Sequence, residues 1–202
     1  MSELSKKQQI VSASDLLFYQ RGYAATSFAD IAEAVQISRG NFYYHFKSKD
    51  SILDAVISLR LANSHKLLRD WESCSLSAAE RIGCFINRLL VKQTDIMRYG
   101  CPVATLNTEL AKLNHPAKAT ASMLSTVFRT WLRRQFFLLG EKSSADLLAM
   151  HLLSRSQGAA TIANTFGEQK LLQQEVQLMH DWLRTCIKLP AGNISTPSLA
   201  SA

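Results

Sequence analysis

Helical periodicity dominates this 202-residue sequence, because apolar residues recur every three or four positions in nearly every segment between its turn-forming residues. Only eight glycines and four prolines punctuate the chain, and no stretch alternates polar and apolar residues for long enough to indicate a strand. Ser27 and Ser77 each stand three residues before a carboxylate, the pattern of a capping box at a helix start. The sequence therefore predicts an all-α protein of about nine helices.

Composition places the chain among ordinary globular proteins, since 47% of its residues are hydrophobic and 19% are charged. No apolar run approaches the roughly 18 residues that a membrane span needs. The first residues lack the apolar core and cleavage site of a signal peptide. We therefore expect a cytoplasmic protein with no membrane partner.

Motifs that would indicate catalysis or a metal site are missing from the sequence. The four cysteines form no CxxC pair and have no neighbouring histidine cluster, which argues against zinc. Paired carboxylates, a glycine-rich phosphate loop and a nucleophile with an evident base are also missing. The sequence thus predicts no metal, no cofactor and no enzymatic activity.

The segment ISRGNFYYHFKSKD, residues 37–50, combines aromatic, cationic and small residues in an unusual way. Two short helices predicted at residues 27–35 and 38–46 are joined by only a few residues around Gln36, which is helix-turn-helix geometry. In that motif the second helix enters the DNA major groove, about 12 Å wide. Residues 38–49 hold three cations and no carboxylate, which favours an anionic partner at this place.

The residue types of the second helix suit contact with DNA. Arg39 can reach guanine O6 and N7, Gly40 lets the backbone approach the groove, and Asn41 can read adenine or a phosphate. We expect Phe42 and Phe46, four residues apart, to face inward as core residues. The other side chains of this segment have polar tips, hydroxyl groups or charges. They are suited to contacts with phosphates and thymine methyl groups: Ser38, Tyr43, Tyr44, His45 and Lys49.

The stretch GYAATSFADIAEAVQISRGNFYYHFKSKDSIL, within residues 10–56, resembles the DNA-binding domain of the tetracycline-repressor (TetR/AcrR) family of transcriptional regulators. The resemblance implies a three-helix DNA-binding head on a larger helical domain that dimerises and binds a small effector. One departure is Gln36, where the family often has glycine at the tight turn. Matched by position, the groove-reading residues are Arg39, Gly40, Asn41 and Tyr44, and the backbone contacts are Thr26 or Ser27, Tyr43, His45 and Lys49.

The domain organisation follows from this resemblance. We expect a DNA-binding domain at residues 1–48, a ligand-sensing and dimerisation domain at 49–190, and a disordered tail at 191–202. The last two long helices are the expected homodimer interface. The resemblance also implies a pocket for a mostly apolar effector among the middle helices. Their aromatic and methionine residues either line that pocket or are ordinary core residues, the commoner role of such a pattern: Trp71, Phe85, Met97, Met123, Phe128, Trp131, Phe136 and Phe137.

Cys101 is a candidate sensor in the larger domain. With Pro102 at the first helical position, Cys101 would be the N-cap, where free backbone amides stabilise a thiolate and lower the pKa of the thiol. A structural cysteine that packs as a small hydrophobe is the alternative. The predicted function is a sequence-specific regulator, a repressor released from a palindromic operator by a small effector or by cysteine modification. The alternative is an all-helical carrier or enzyme that uses the central pocket.

Overall fold

A computed structural model describes residues 5–74 and 77–188, with the backbone alone described for Arg39 and Lys188. The described residues form no strand, which agrees with the predicted all-α class. The segment that follows Ser77 forms two helices separated at Lys92, and the described part of the chain contains ten helices where about nine were predicted. They are α1 (Lys6–Arg21), α2 (Phe28–Ala34), α3 (Arg39–His45), α4 (Lys49–Ser73), α5 (Ala78–Val91), α6 (Gln93–Tyr99), α7 (Pro102–Lys112), α8 (Lys118–Leu138), α9 (Ala145–Phe166) and α10 (Gln169–Lys188).

Both predicted capping boxes are formed. The Asp30 carboxylate accepts the Ser27 N–H at 2.7 Å, and the Glu80 carboxylate accepts the Ser77 N–H at the same distance. In each pair the serine hydroxyl accepts the N–H of the acidic residue. Ser38 caps α3 by accepting the Asn41 N–H at 3.3 Å. These local bonds fix where the helices of the helix-turn-helix begin.

The turn between α2 and α3 places Gln36 in the left-handed region, with φ at +52°. A side chain with a Cβ atom is strained in this region, which explains why glycine suits such a turn better. The Gln36 and Ile37 N–H groups donate to the Glu33 and Ala32 carbonyl oxygens at 3.0 and 3.1 Å. The helix-turn-helix therefore forms with glutamine at the turn, at the expected cost in backbone strain.

Two hydrophobic clusters hold the helices together. The first joins α1, α2 and α3 to the N-terminal half of α4, and it continues onto α7 and the start of α8 through Leu106, Leu110 and Ala121. The second cluster is formed by α5, α8, α9 and α10 with contributions from α4 and α6. Hydrophobic packing thus crosses the predicted boundary at residue 48, and α4 belongs to both clusters. The predicted tail lies outside the described residues.

Candidate DNA-binding surface and internal cavity

The inward face of α3 is fixed by two aromatic side chains. Phe42 and Phe46 are buried, with 1% and 4% of their surfaces exposed, as their spacing predicts. The Phe28 ring of α2 meets the Phe42 ring edge to face, with centroids 5.1 Å apart. This packing sets the rotation of α3 about its own axis, and hence the side chains that α3 presents to solvent.

The outward face of α3 carries the predicted groove-reading residues. Gly40 and Asn41 are exposed, and Tyr44 has 78% of its surface exposed. Tyr43 is 47% exposed and leans on the Phe28 ring. His45 is half-buried beside Tyr44, with ring centroids 5.2 Å apart. Arg39 is the first residue of α3, but its side chain lies outside the described part of the structure.

Two of the predicted DNA-backbone contacts, Thr26 and Lys49, also make hydrogen bonds within the head. Thr26 is 1% exposed, and its hydroxyl donates to the Gly22 carbonyl oxygen at 2.7 Å. The Lys49 ammonium donates to the carbonyl oxygens of Tyr23, Ala24 and Thr26 at 3.0, 3.3 and 3.1 Å. With these three bonds Lys49 braces the α1–α2 loop. The predicted DNA-backbone contacts of Thr26 and Lys49 stay predictions beside these bonds within the head.

Ser27, the other predicted backbone contact at the start of α2, is exposed. Its hydroxyl donates to the Asp30 carboxylate within the capping box. This hydrogen bond and the bond from the Ser27 backbone lower the pKa of Asp30. The Ser27 hydroxyl therefore acts first as a helix cap.

The α1–α2 loop is also held from the opposite side by Glu109 of α7. The Glu109 carboxylate accepts the N–H groups of Tyr23 and Ala24, each at 2.8 Å. Gly22 precedes them with φ at +91°, and a Cβ atom there would lie 3.0 Å from a Glu109 oxygen. The loop therefore requires glycine at this position, and it ties the head to α7.

A third link between the head and the larger helical part involves Tyr23, Asp50 and His115. The Tyr23 hydroxyl donates to the Asp50 carboxylate at 2.5 Å, and the His115 Nε2 atom lies 3.4 Å from the same oxygen. Burial and this hydrogen bond raise the pKa of Tyr23. The hydrogen bond from Tyr23 lowers the pKa of Asp50, and the neighbouring His115 lowers it further by a smaller amount.

A cavity of about 530 Å³ lies between the head and the larger helical part. It is lined by residues of α1 and of α4 to α9, together with Lys92 and Cys101 between them, so the head contributes directly to its wall. At the α1 wall the Asp15 carboxylate pairs with Arg60 at 2.5 Å, and Arg60 also donates to the Pro102 carbonyl oxygen at 2.7 Å. The Tyr19 hydroxyl donates to the Gly100 carbonyl oxygen at 2.7 Å. These bonds join α1 to α4 and to the start of α7.

Of the aromatic and methionine residues of the middle helices, for which pocket and core roles were both open, Phe85 and Phe128 line the cavity. Trp131 and Phe136 are buried in the second hydrophobic cluster. Met123 and Phe137 are about half exposed, at 51% each. Cys101 is the N-cap of α7 with Pro102 at the first position, and it lines the cavity.

Residues 10–56 match the sequence profile of the bacterial regulatory proteins of the tetR family. The crystal structure of a TetR transcriptional regulator from Legionella pneumophila superposes with a TM-score of 0.81 and 26% sequence identity. That comparison covers 93% of this chain and 100% of the other. The head, residues 10–56, is therefore a TetR-family DNA-binding domain. The comparisons over most of the chain support a helix-turn-helix transcriptional regulator of that family.

Two relatives extend this TetR-family likeness beyond the head. An HTH-type transcriptional regulator from the lacX 3′ region of Lactococcus lactis subsp. lactis is 27% identical over 180 residues, 86% of this chain and 90% of the relative. The HTH-type transcriptional repressor DhaR of a Mycobacterium species is 22% identical over 169 residues, 79% of this chain and 82% of DhaR. Within residues 5–74 and 77–188, no helix of the TetR-family chain is long and apolar enough to cross a membrane.

Several residues of the cavity and of the loop were missed by sequence reasoning. The TetR-family resemblance names the DNA-reading positions, but it assigns no role to Glu109, Arg60 or Arg88. Other arginines lie on α8 but do not line the cavity: Arg129 pairs with Asp146, and Arg134 pairs with Glu72. From the sequence alone, Arg88 looks like an ordinary solvent-exposed arginine on the polar face of an amphipathic helix. Its contact with Phe128, which forms where α5 packs against α8, shows that it is not.

Proposed function

We propose that this TetR-family regulator reads a specific operator with the outward face of α3. The observation that carries the proposal is the division of α3 into two faces, with Phe42 and Phe46 buried and Tyr44 78% exposed. A recognition helix needs this arrangement, since its inner face must hold it rigidly while its outer face enters the groove. Arg39, Gly40, Asn41 and Tyr44 are proposed to read bases. The proposed contacts with the DNA backbone come from the remaining predicted residues: Thr26 or Ser27, Ser38, Tyr43, His45 and Lys49.

Gly40 supports this assignment because no contact within the protein requires it. A Cβ atom at Gly40 would meet nothing within 4 Å, and its φ is not positive. Glycine in a helix is destabilising by roughly 0.5–1 kcal/mol relative to alanine. A glycine that the fold does not need is well explained by a close approach of the α3 backbone to the DNA.

The regulator is proposed to act as a homodimer through α9 and α10, so that two heads bind the half-sites of a palindromic operator. Leu147, Ile162 and Phe166 leave 65%, 49% and 63% of their surfaces exposed on α9, and Leu178 leaves 49% exposed on α10. Such apolar surface on neighbouring helices is typical of a subunit interface. Other apolar residues of these helices pack in the core of their own chain instead: Leu148, Leu152, Ala159, Ala163, Val176, Met179 and Leu183.

The cavity is the proposed effector site, and occupancy is proposed to release the operator. Its volume of about 530 Å³ suits a small organic molecule. Helix α1 belongs to the head and forms part of the cavity wall. A bound ligand can therefore contact the head directly and shift its position. The effector must bind the released arrangement more tightly than the DNA-bound one for this to occur. Cys101 in the same wall offers modification as a second trigger.

The test is a fluorescence-anisotropy titration on DNA upstream of the gene, or on a site selected from random sequences, at two salt concentrations. We expect specific binding that weakens with salt and is lost in Arg39→Ala while the fold is unchanged. Arg133→Ala is the matched control, because Arg133 is exposed on α8, away from the head. Cys101→Ser, titrated with and without a thiol oxidant, tests the second trigger.

An all-helical carrier or enzyme using the same cavity is the rival function. Such a protein would bind its ligand equally well in the Arg39→Ala variant and would select no palindrome from random DNA. That combination of results would replace operator binding with the carrier function. The names of the relatives, which are transcriptional regulators, favour the non-enzymatic function.

A further inference from the structure

Arg88 of α5 lines the cavity without a carboxylate partner among the described residues. We propose that the cavity binds an organic anion, with Arg88 holding a carboxylate or similar group and the apolar wall holding an aromatic or alkyl body. The proposal rests on the effector site assigned above and names the chemical class of its ligand. Nothing in the family resemblance specifies this charge.

Among the charged residues that the structure describes in the cavity wall, Arg88 is the one without a partner of opposite charge. The wall contains three cations, Arg60, Arg88 and Lys92, and two carboxylates, Asp15 and Asp95. Asp15 pairs with Arg60 at 2.5 Å, and Asp95 lies 3.9 Å from the Lys92 ammonium. Both carboxylates are therefore already engaged by the other two cations, and one positive charge remains for a ligand.

The surroundings of Arg88 make an unpaired guanidinium costly. The side chain is half-buried, and its guanidinium carbon lies 5.2 Å from the centre of the Phe128 ring, another cavity wall residue. Burial lowers the pKa of Arg88 from its usual value, yet an arginine remains protonated at neutral pH. Partly buried charges in proteins are normally paired, so a bound anion would supply the missing partner.

The remainder of the wall determines the body of the ligand. Phe85, Leu89, Ile96, Leu124 and Phe128 provide apolar contacts around the guanidinium. An inorganic anion would leave most of the volume of about 530 Å³ unfilled. A molecule with one anionic group and a hydrophobic body matches both the charge and the surface.

The experiment compares two fluorescent probes that differ in one charged group. 1-Anilinonaphthalene-8-sulfonate is an anion, and N-phenyl-1-naphthylamine is its neutral counterpart without the sulfonate. Both are titrated into the purified, DNA-free protein and into three variants checked for helicity and thermal unfolding. Arg88→Met removes the charge and keeps the alkyl contact with Phe128, and Arg88→Lys keeps the charge. Arg133→Met is the control, because it removes an exposed cation of α8 that does not line the cavity.

We expect the sulfonate probe to bind about tenfold or more weakly to Arg88→Met, since a charge-assisted bond is lost. The neutral probe should change by less than about twofold, and both Arg88→Lys and Arg133→Met should retain most of the anion binding. In the wild-type protein decanoate should displace the sulfonate probe well below the concentration at which decan-1-ol does. Equal displacement by the acid and the alcohol, or equal loss of both probes in a folded Arg88→Met protein, would overturn the proposal.

Failure of this inference is distinguishable from failure of the proposed function. Probe binding is measured without DNA, and operator binding is measured without a probe. Arg88-dependent anion binding in a protein that selects no operator would contradict only the regulator function. Specific operator binding in a protein whose cavity does not distinguish the two probes would contradict only the anion assignment.

Discussion

Replacing Gly40 by alanine should move stability and DNA affinity in opposite directions. The added methyl group meets open space in the protein, with no atom within 4 Å, and the backbone of α3 needs no positive φ at this position. Alanine loses less conformational freedom than glycine when the helix forms. We therefore expect the variant to be more stable by up to roughly 0.5–1 kcal/mol, with the smaller values applying because Gly40 lies in the first turn.

The effect on DNA follows from what the methyl group would contact in the complex. If the α3 backbone lies against the groove at Gly40, the methyl group must displace the helix or the bases. Overpacking of a well-fitted contact costs about 1–3 kcal/mol. This range corresponds to roughly 5- to 150-fold weaker binding. No charge is removed, so the dependence of binding on salt concentration should stay the same.

Urea denaturation and fluorescence anisotropy on the same protein preparations measure the two effects. Anisotropy at two or more salt concentrations separates a steric loss from an electrostatic one. Arg133→Ala, a change to an exposed residue of α8, serves as the control for both measurements. An affinity unchanged by Gly40→Ala would refute the close approach of α3, and a loss of stability would refute the open-space argument.

Three further changes test the head and its attachment. Gln36→Gly should raise the free energy of unfolding by roughly 0.5–1 kcal/mol in urea denaturation, because it relieves the left-handed strain at φ +52° but adds freedom to the unfolded chain. Asp50→Asn should make the stability of the protein less sensitive to acid. The hydrogen bond from Tyr23 lowers the pKa of Asp50, so the stabilisation by the Asp50 carboxylate is complete above about pH 4 and is lost as the pH falls below that value. A comparison of unfolding curves between about pH 2 and 7 measures this, and identical acid limbs would contradict it. Glu109→Gln should lower stability by about 1–3 kcal/mol, because each loop N–H donates to a different carboxylate oxygen and the NH2 group that replaces one of them cannot accept. Hydrogen exchange at Tyr23 and Ala24 should accelerate, and unchanged exchange at both amides would show that Glu109 does not hold the loop.

Local sequence signals predicted the helix-turn-helix because each depends on residues only a few positions apart. The spacing of Phe42 and Phe46 fixed the buried face of α3, and the serine-to-carboxylate spacing fixed the start of α2. The strain at Gln36 was also visible, since the tight turn allows few backbone conformations. Such features follow from helical geometry, and they need no knowledge of the remaining fold.

The contacts that local patterns did not predict depend on tertiary packing. Lys49 is predicted to contact a phosphate because it begins a helix, and in the fold its ammonium also donates to three carbonyl oxygens of the α1–α2 loop. Glu109 reaches an N–H group 86 residues earlier in the chain, and no local pattern marks that pairing. Arg88 can be recognised as a cavity residue only from the packing of α5 against α8. Sequence periodicity places a charge on a helix face, but it does not identify what covers that face.

Helix α7 gives the cavity a direct mechanical route to the head. Its first residues, with Cys101 and Pro102, line the cavity, and Glu109 near its other end holds the α1–α2 loop. Pro102 and Glu109 are seven positions apart in a continuous helix, about 10 Å along the axis. Because a short helix moves as a unit, a ligand that displaces its start must also displace Glu109 or break the bonds to the loop. The Asp15–Arg60 pair joins α1 to the same end of α7 through the Pro102 carbonyl, so the two links would respond to the ligand together. An organic anion held near Arg88 would therefore act on the head through contacts that already exist, and release of DNA would require only a change in the relative stability of two packed arrangements.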